Sequence, residues 1–400
     1  MREKKTNGRL GDVCRVIPGY AFKSSDWCDK GIPVVKIKNI KGDTSVDLSY
    51  LDCVPESVLT PKLQKFVLVD GDILVAMTGA TAGKVGKVRT CMALLLNQRV
   101  AKIQPVEADH DFIWSVVSSH EYQETFFHLA DGAAQPNMSG RQIESVNIPL
   151  PPLPVQRRIA GILSAYDDLI ENSQRRIRIL EAMARALYRE WFVHFRFPGH
   201  EKLSRIASPL GDIPEGWEVR KLGEIADITM GLSPKGNTYN EVGDGTPLIN
   251  GPVEFGDRFT KQVKWTTAPT KTCRNGDLIV CVRGSTTGKY VKSDGVYCLG
   301  RGVCGLSSSF QCFIDLLFEN ELPTLLSQTS GSTFPSWTGP QLKNHPVLFP
   351  PQELLTHFEI LVKPMAEQVL SLERQIQNLH RTRNLLLPRL LSGQTNIEAA

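Results

Sequence analysis

Residues 71–86 read GDILVAMTGATAGKVG, and residues 276–291 read GDLIVCVRGSTTGKYV. Each is a short apolar run that enters a loop of Gly and Thr and leaves through Gly-Lys. A phosphate-binding loop needs four residues between its glycines and a Ser or Thr after the lysine, so that backbone N–H groups wrap the phosphates and the hydroxyl meets magnesium. Here Gly79 and Gly83 bracket three residues and Val85 follows Lys84; Gly284 and Gly288 also bracket three, and Tyr290 follows Lys289. Both copies miss the nucleotide pattern in the same way, so the loop has another purpose. The reason for having two copies is the question that decides the fold.

The repetition extends well beyond the loop. LGDVCRVIPGYAFK at 10–23 answers LGEIADITMGLSPK at 222–235, and GIPVVKI at 31 answers GTPLING at 245. GAAQPNMSGRQIESVNIPLPPLP from 132 answers GSTFPSWTGPQLKNHPVLFPPQE from 331, with Gly, Pro, Gly, Gln and Pro-Pro held at an offset of 199. The chain is a duplication. Each half runs through a leading strand, an extended segment, the Gly-Lys loop, a Gly-Pro-Gly-Gln segment and Pro-Pro.

Four hundred residues suffice for two or more domains, each with its own core. The chain is 41% hydrophobic and 22% charged, which marks it as globular, and its net charge of +4 neither demands nor opposes a nucleic-acid partner. The opening MREKKTNGRLGDVCRV has no apolar stretch of a signal peptide, and no run of eighteen apolar residues occurs. The nine cysteines form no Cys-x-x-Cys pair, which points to free thiols in a reducing, cytoplasmic setting. Cys298, Cys304 and Cys312 sit in apolar sequence and are expected to pack as small hydrophobes.

Within each half, VVKIKNI, FVLVDGDILVAM and DLIVCV read as strands punctuated by Gly, Pro and Asp. DFIWSVVSSHEYQETFFHLA (111–130) reads as one amphipathic helix. The fold class is therefore α+β, with a twisted antiparallel or mixed sheet in each half. After Pro-Pro the pattern becomes regular. Leu163, Tyr166, Ile170, Ser173, Ile177, Leu180, Ala184, Leu187 and Trp191 recur at steps of three and four, a heptad seam. Its copy is Val362, Met365, Val369, Leu372, Ile376, Leu379, Arg383, Leu386 and Leu390, broken only by Arg383. The first seam spans about 42 Å at 1.5 Å per residue. Pro364 and Pro388 mark places where the second helix could kink or fray. Each helix could merely cover its own domain, but two long, narrow, matching seams suit each other better. The expected arrangement is two pseudo-symmetric globular domains separated by two long antiparallel coiled-coil helices. On this reading a fragment ending near Gly199 should pair with its own copy. Arg175, Arg176, Arg178, Arg185 and Arg189 crowd the first helix, either as a solvated face or for docking.

No catalytic constellation is readable. An amino-methyltransferase needs a polar residue before Pro-Pro-aromatic, whereas the double prolines here read LPPL and FPPQ. No Pro-Asp dipeptide of a restriction-type nuclease, no His-x-x-x-His metal spacing and no Gly-x-Ser-x-Gly elbow is present. A reader or scaffold fits these residues better than an enzyme. The alternatives are a solitary DNA methyltransferase or nuclease with degenerate motifs, or a scaffold that binds only protein.

In its order of motifs the chain resembles the specificity (S) subunit of type I restriction–modification systems over essentially its whole length. The resemblance rests on GDILVAMTGATAGKVG followed by NQRVAKIQP (97–105), and on Gly-x-x-x-Pro-x-x-x-Gly-x-Gln leading into IPLPPLPVQRRIAGIL. It rests also on LYREWFVHFRFPGHE before LGDIPEGWEVRKLGEIA, and on the tail RNLLLPRLLSGQ. It implies two target recognition domains at 1–152 and 200–351, a central spacer helix at 153–199, and a C-terminal spacer helix and tail at 352–400. It implies further that each domain reads one half of a split double-stranded DNA target. Two modification (methyltransferase) subunits would clasp the helices, restriction subunits would join the full complex, and the chain itself would hold no cofactor or metal and catalyse nothing.

On this resemblance the candidate DNA-binding residues are Thr78, Thr81, Lys84 and Arg99 in the first half and Arg283, Thr286, Lys289 and Arg301 in the second. Cations near small Gly-Thr turns can approach a phosphate backbone while hydroxyls and arginine reach base edges. Arg283 stands where the first copy has Thr78, as expected of two domains with unlike half-sites. The loop could equally be a scaffold turn, with specificity in the least matched segments, about 40–65 and 250–272. The helix-pairing candidates are Leu163, Ile170, Ile177, Leu180 and Leu187 with Val369, Leu372, Ile376, Leu379 and Leu386.

Overall fold

The computed structural model describes residues 7–42, 44–130, 137–329 and 335–392. Parts of the repeat motif (Gly132–Pro136 and Gly331–Phe334) and Gly393–Gln394 of the tail motif lie outside the described residues. The chain divides into two compact units. Unit 1 takes the described residues up to Gln174 together with those from Arg374, and unit 2 takes Arg175–Glu373.

Unit 1 holds eight main strands: β1 (Cys14–Pro18), β2 (Ile32–Val35), β3 (Asp52–Val54), β4 (Val67–Leu68), β5 (Ile73–Ala76), β6 (Val85–Lys87), β7 (Leu94–Leu96) and β8 (Val100–Pro105). One sheet is antiparallel with order β1-β8-β5-β6; the other has order β3-β2-β7-β4, with β2 and β7 parallel. Strand β5, Ile-Leu-Val-Ala, is buried on both faces. That is why its sequence is continuously apolar and does not alternate. Ile73 and Val75 enter one core with Phe112, Ile113 and Ile143, while Leu74 and Ala76 enter a second with Val34, Leu68 and Leu95.

The helices of unit 1 are α1 (His110–Val117), α2 (His120–Leu129), α3 (Gly140–Glu144) and the start of α4 (Leu153–Tyr188). The single helix expected over 111–130 is two. Ser118 and Ser119 fall between them, and Ser119 is extended at φ −68°, ψ 152° as the first residue before α2. Serine competes with helical hydrogen bonds and favours such caps. Asp109 caps α1 by accepting the Phe112 N–H at 3.0 Å.

Unit 2 repeats the plan with β9 (Asp227–Met230), β10 (Tyr239–Asn240), β11 (Thr246–Ile249), β12 (Trp265–Thr266), β13 (Leu278–Cys281), β14 (Tyr290–Lys292), β15 (Cys298–Leu299) and β16 (Val303–Ser307). Its sheets run β9-β16-β13-β14, antiparallel, and β10-β12-β11-β15, with β11 and β15 parallel. The hairpins match in register. Ile73 faces Lys87 across β5–β6, and Leu278 faces Lys292 across β13–β14. Leu278 and Val280 face one core, Ile279 and Cys281 another, the same alternation as in β5. Burial pushes the Cys273 and Cys281 thiols up to about 11 and the Cys304 thiol to about 12, so these cysteines pack as neutral small groups. Cys298 and Cys312 are buried as well. The helices are α5 (Gln311–Ser327), α6 (Gly339–Lys343) and the start of α7 (Gln352–Ser392). Helix α7 runs unbroken through Pro364 and Pro388, both of which face solvent.

Both long helices cross from one unit to the other. In unit 1 the start of α4 meets the end of α7: Ile159, Ala160 and Leu163 share a core with Leu387 and Leu390. In unit 2 the end of α4 and the turn of π-helix after it meet the start of α7. There Tyr188, Trp191 and Phe192 share a core with Leu355, Phe358 and Val362. The helices therefore pack together antiparallel. The fold is mixed α+β, with two β-rich domains and a long helix pair.

Candidate nucleic-acid interface

The repeated loop is the connection of hairpin β5–β6, and of β13–β14 in unit 2. In each copy the strand that enters the loop is closed by the same bonds. Ala76 N–H donates to Lys84 O at 2.9 Å, and Cys281 N–H to Lys289 O at 2.8 Å. Gly83 N–H donates to Ala76 O, and Gly288 N–H to Cys281 O, both at 2.9 Å. The loop also carries the Gly-Gln segment against it: Met138 N–H donates to Met77 O at 2.9 Å, and Trp337 N–H to Val282 O at 3.0 Å. Thr78 is bridged to Asn137 and Arg283 to Ser336. The two motifs that repeat most clearly in sequence thus meet in space at one end of the antiparallel sheet.

The glycines are set by backbone geometry. Gly79, Gly83, Gly284 and Gly288 have φ of +71°, +83°, +85° and +91°. Only glycine adopts such values without strain. Gly83 also lies against helix α2, where a Cβ would stand 2.6 Å from Gln123 O and 2.6 Å from Phe127 N. The Gly of Gly-Lys is therefore a packing residue. The lysine beside it is directed elsewhere.

The candidate contact residues divide as follows. Thr78, Thr81, Lys84 and Thr286 are half-buried; Arg99, Arg283, Lys289 and Arg301 are exposed. Lys84 extends past Gly42, where a Cβ would stand 3.3 Å from its Nζ. Thr78 and Arg99 meet at the end of the sheet, because Met77 N–H donates to Arg99 O at 3.0 Å. The equivalent bond in unit 2 runs from Val282 N–H to Gly302 O at 2.8 Å. Arg301 therefore occupies the place of Gln98, one residue away from that of Arg99. Lys84 and Lys289 are equivalent; the two arginines are not.

Among the described residues, Lys84, Arg99, Arg283, Lys289 and Arg301 make no ion pair, whereas neighbouring cations do. Lys87 Nζ lies 2.8 Å from Asp111 Oδ1, Lys102 Nζ 3.4 Å from Asp72 Oδ2, and Lys292 is paired with Asp315. Burial alone would raise the Asp111 carboxyl, but the Lys87 ammonium outweighs it and holds the group below the usual range. Just before the first weakly matched segment, Lys36 and Lys38 both pair with Asp52 inside it at 2.9 Å. Arg258 reaches the long helices, 2.6 Å from Glu181 and 3.7 Å from Glu373. Its charge is committed there. No group of three or more His, Cys, Asp or Glu able to hold a metal exists among the described residues, and no described helix is long and apolar enough to cross a membrane.

The helix-pairing candidates lie along one buried stripe on each helix. Leu163, Ile170, Ile177, Val369, Leu372 and Ile376 are buried, and Leu180, Leu187, Leu379 and Leu386 are half-buried. Leu169, Ile179 and Met183, off the stripe, are 50% exposed. Arg383, the one charge in the seam, is 4% exposed. Its Nε lies 2.6 Å from Asp167 Oδ1, an ion pair whose N–H points off the direct line, and its Nη2 donates to Ser118 Oγ at 2.6 Å. Trp114 Nε1 donates to Asp167 Oδ2 at 2.7 Å. Sequence reading missed this network, although a lone seam arginine demands a nearby carboxylate and Asp167 adjoins the seam residue Tyr166.

The family model of the type I restriction modification DNA specificity domain matches residues 2–182 and again residues 214–373. The chain belongs to this family. Its two copies of the specificity domain correspond to the two repeats found in the sequence. Two curated relatives agree over most of their length. The chain is 26% identical over 318 residues to the type I restriction enzyme MjaIX specificity subunit of Methanocaldococcus jannaschii, covering 76% of this chain and 74% of that one. It is 23% identical over 344 residues to the type I restriction enzyme EcoBI specificity subunit of Escherichia coli, covering 80% and 69%. The fold matches the crystal structure of the type I restriction–modification S subunit from M. genitalium with a TM-score of 0.57, at 16% identity, over 97% of this chain and 96% of that one. The protein is thus a DNA specificity subunit, the non-catalytic component of a type I restriction–modification system.

Proposed function

We propose that this specificity subunit reads an asymmetric, bipartite double-stranded DNA target, one half-site per recognition domain, and scaffolds the modification subunits of its complex. The observation that carries the reading is the pair of hairpin loops. Their hydrogen bonds superimpose residue by residue, while the side chain presented at the matched position differs, Thr78 against Arg283, over a buried residue that differs too, Met138 against Trp337. A shared frame with unlike contact groups is what two readers of different sequences require.

In this reading Lys84, Lys289 and Arg99 neutralise phosphates, and Arg283 and Arg301 reach base edges, with Thr78 and Thr81 adding hydroxyls. Unpaired cations suit this role, since an arginine or lysine already bound to a carboxylate gives up that pair on meeting DNA. The recognition domains would occupy 1–152 and 200–351, with the helical segments 153–199 and 352–400 between them. Two modification subunits per chain would hold the helix pair, with restriction subunits in the full complex, in the cytoplasm where the DNA lies.

Gel shifts over a salt series test the reading. Binding should sharpen for one bipartite duplex when the modification subunit is added, and methyl transfer should require that subunit. Methyl transfer by the purified chain alone would overturn it in favour of a solitary methyltransferase.

A further inference from the structure

We propose that Arg383 is a positioning residue: through Asp167, Trp114 and Ser118 it locks the β5–β6 hairpin of unit 1 to the helix pair, and so fixes the spacing at which the subunit accepts its two half-sites. This rests on the bipartite reading given above.

The lock joins three helices inside one unit. Arg383 comes from α7, Asp167 from α4, Trp114 from α1, and Ser118 from the turn that follows α1. Trp114 is 5% exposed and Ser118 4%. Around Asp167 the indole N–H donates to Oδ2 at 2.7 Å, while the guanidinium forms an ion pair with Oδ1 at 2.6 Å and donates from Nη2 to Oδ2 at 3.4 Å. The network then continues to the hairpin. Lys87, the last residue of β6, holds Asp111 of α1 at 2.8 Å, and its ammonium lies 5.5 Å from the centre of the Trp114 ring. Contacts therefore run from the strand that leaves the candidate DNA loop to the seam of the long helices, through the cation–π contact of Lys87 with Trp114 and the Trp114–Asp167 hydrogen bond.

Unit 2 shows what the seam does without such a lock. The positions 199 residues from Arg383 and Asp167 are Ala184 and Ala366. Its end of the helix pair is filled by rings instead, with Phe192 4.8 Å from Phe358 and 5.0 Å from Phe313. At this position the buried stripe of unit 2 is closed by apolar packing, and the arginine bridging the two helices there, Arg258 with Glu181 and Glu373, binds them outside that stripe. A buried ion pair adds little net stability over an apolar pair, because desolvation offsets the attraction. What it adds is geometry. A guanidinium held by a carboxylate and a hydroxyl admits one register and one tilt, whereas rings and methyls slide.

The test uses the full-length subunit assembled with its modification subunits. The probes are duplexes carrying the bipartite motif that methylation sequencing assigns to it, with the native spacer or a spacer one base pair longer or shorter. The variant is the pair Asp167→Asn with Arg383→Met. Asparagine keeps an acceptor for the Trp114 N–H, methionine keeps much of the arginine stem, and the two charges leave together, so no ion is orphaned. The variant should melt near the wild-type temperature and bind the native spacer within about threefold, while its penalty for a wrong spacer falls by about tenfold or more. A variant that melts normally and keeps the full penalty overturns the proposal. If the double variant does not fold, Arg383→Lys replaces it. Lysine keeps the charge but cannot hold Asp167 and Ser118 as one planar fork. Its penalty should fall too, and an unchanged penalty again overturns the lock. A wild-type complex indifferent to spacer length would instead overturn the bipartite reading, and this proposal with it.

Discussion

Gly83 and Lys84 are neighbours with separate tasks. Gly83 sits where helix α2 leaves no room for a Cβ and where φ is +83°. Gly79, at φ +71°, has open space around it. Gly83→Ala should therefore destabilise by on the order of 3 kcal/mol, combining left-handed strain with a backbone clash, and Gly79→Ala by only about 1 kcal/mol. Urea unfolding of the two variants measures the difference; equal losses would show that the helix yields. Lys84→Ala should leave the fold intact, weaken binding to all DNA sequences alike and lower the salt slope by roughly one unit. Arg283→Ala should cost about 1–3 kcal/mol on one half-site and relax a single position there. Titrations against substituted duplexes would read both, and two silent variants would make the loop a turn and nothing more. At this scale the sequence exposed the repeated glycines and the Thr78–Arg283 difference. It could not separate a glycine needed for helix contact from one needed for a turn, because that depends on residues 40 positions away.

The two long helices were legible as elements because a heptad seam is a local pattern of apolar spacing, and that spacing survives in the buried stripes of α4 and α7. The break after α1 was not legible. Ser118 and Ser119 interrupt the helix because the turn is held from outside, by Arg383 of α7 at 2.6 Å from Ser118. Arg383→Ala should destabilise by about 2–3 kcal/mol, since it empties a buried stretch of the seam and leaves the half-buried Asp167 carboxylate without its guanidinium, whereas the neutral pair Asp167→Asn with Arg383→Met should come close to wild type. Thermal melts of the two variants decide. The same carboxylate weighs against the fragment ending near Gly199 as a homodimer: its Asp167 would face Ala184 of the second copy and lose its guanidinium.

Glu359, at the start of α7, supplies a pH test. Burial raises its carboxyl above the ordinary range, and the Phe313 N–H at 2.9 Å only partly offsets this. A raised folded value means that this group's contribution is fully present below its unfolded value and is lost as the pH rises through the folded one. Relative to Glu359→Gln, the wild type should lose stability as the pH rises above the normal glutamate range. A stability difference that stays flat over that window, followed in urea melts, would contradict the assignment.

At the scale of the whole molecule, duplication explains why a strand, a loop and a lysine occur twice. The family model matches both halves, and both halves carry the same antiparallel sheet order and the same parallel strand pair in the second sheet. This much was visible in the sequence, since repeats and their order are preserved in text. The partition of cations was not visible. Arg258 falls in a weakly matched segment, the alternative place for base reading, yet it is bound to Glu181 and Glu373. Lys36 and Lys38 are likewise held by Asp52. Which charges remain free for DNA is decided by tertiary neighbours.

The central claim is that two matched frames carry unlike readers. It is tested most directly by sequencing the methylated bases of the host genome with and without this gene. Deletion should erase one motif, made of two different half-sites separated by a fixed unspecified spacer. Loss of a palindromic or uninterrupted motif, or no change in methylation when the modification subunit is intact and expressed, would contradict the account.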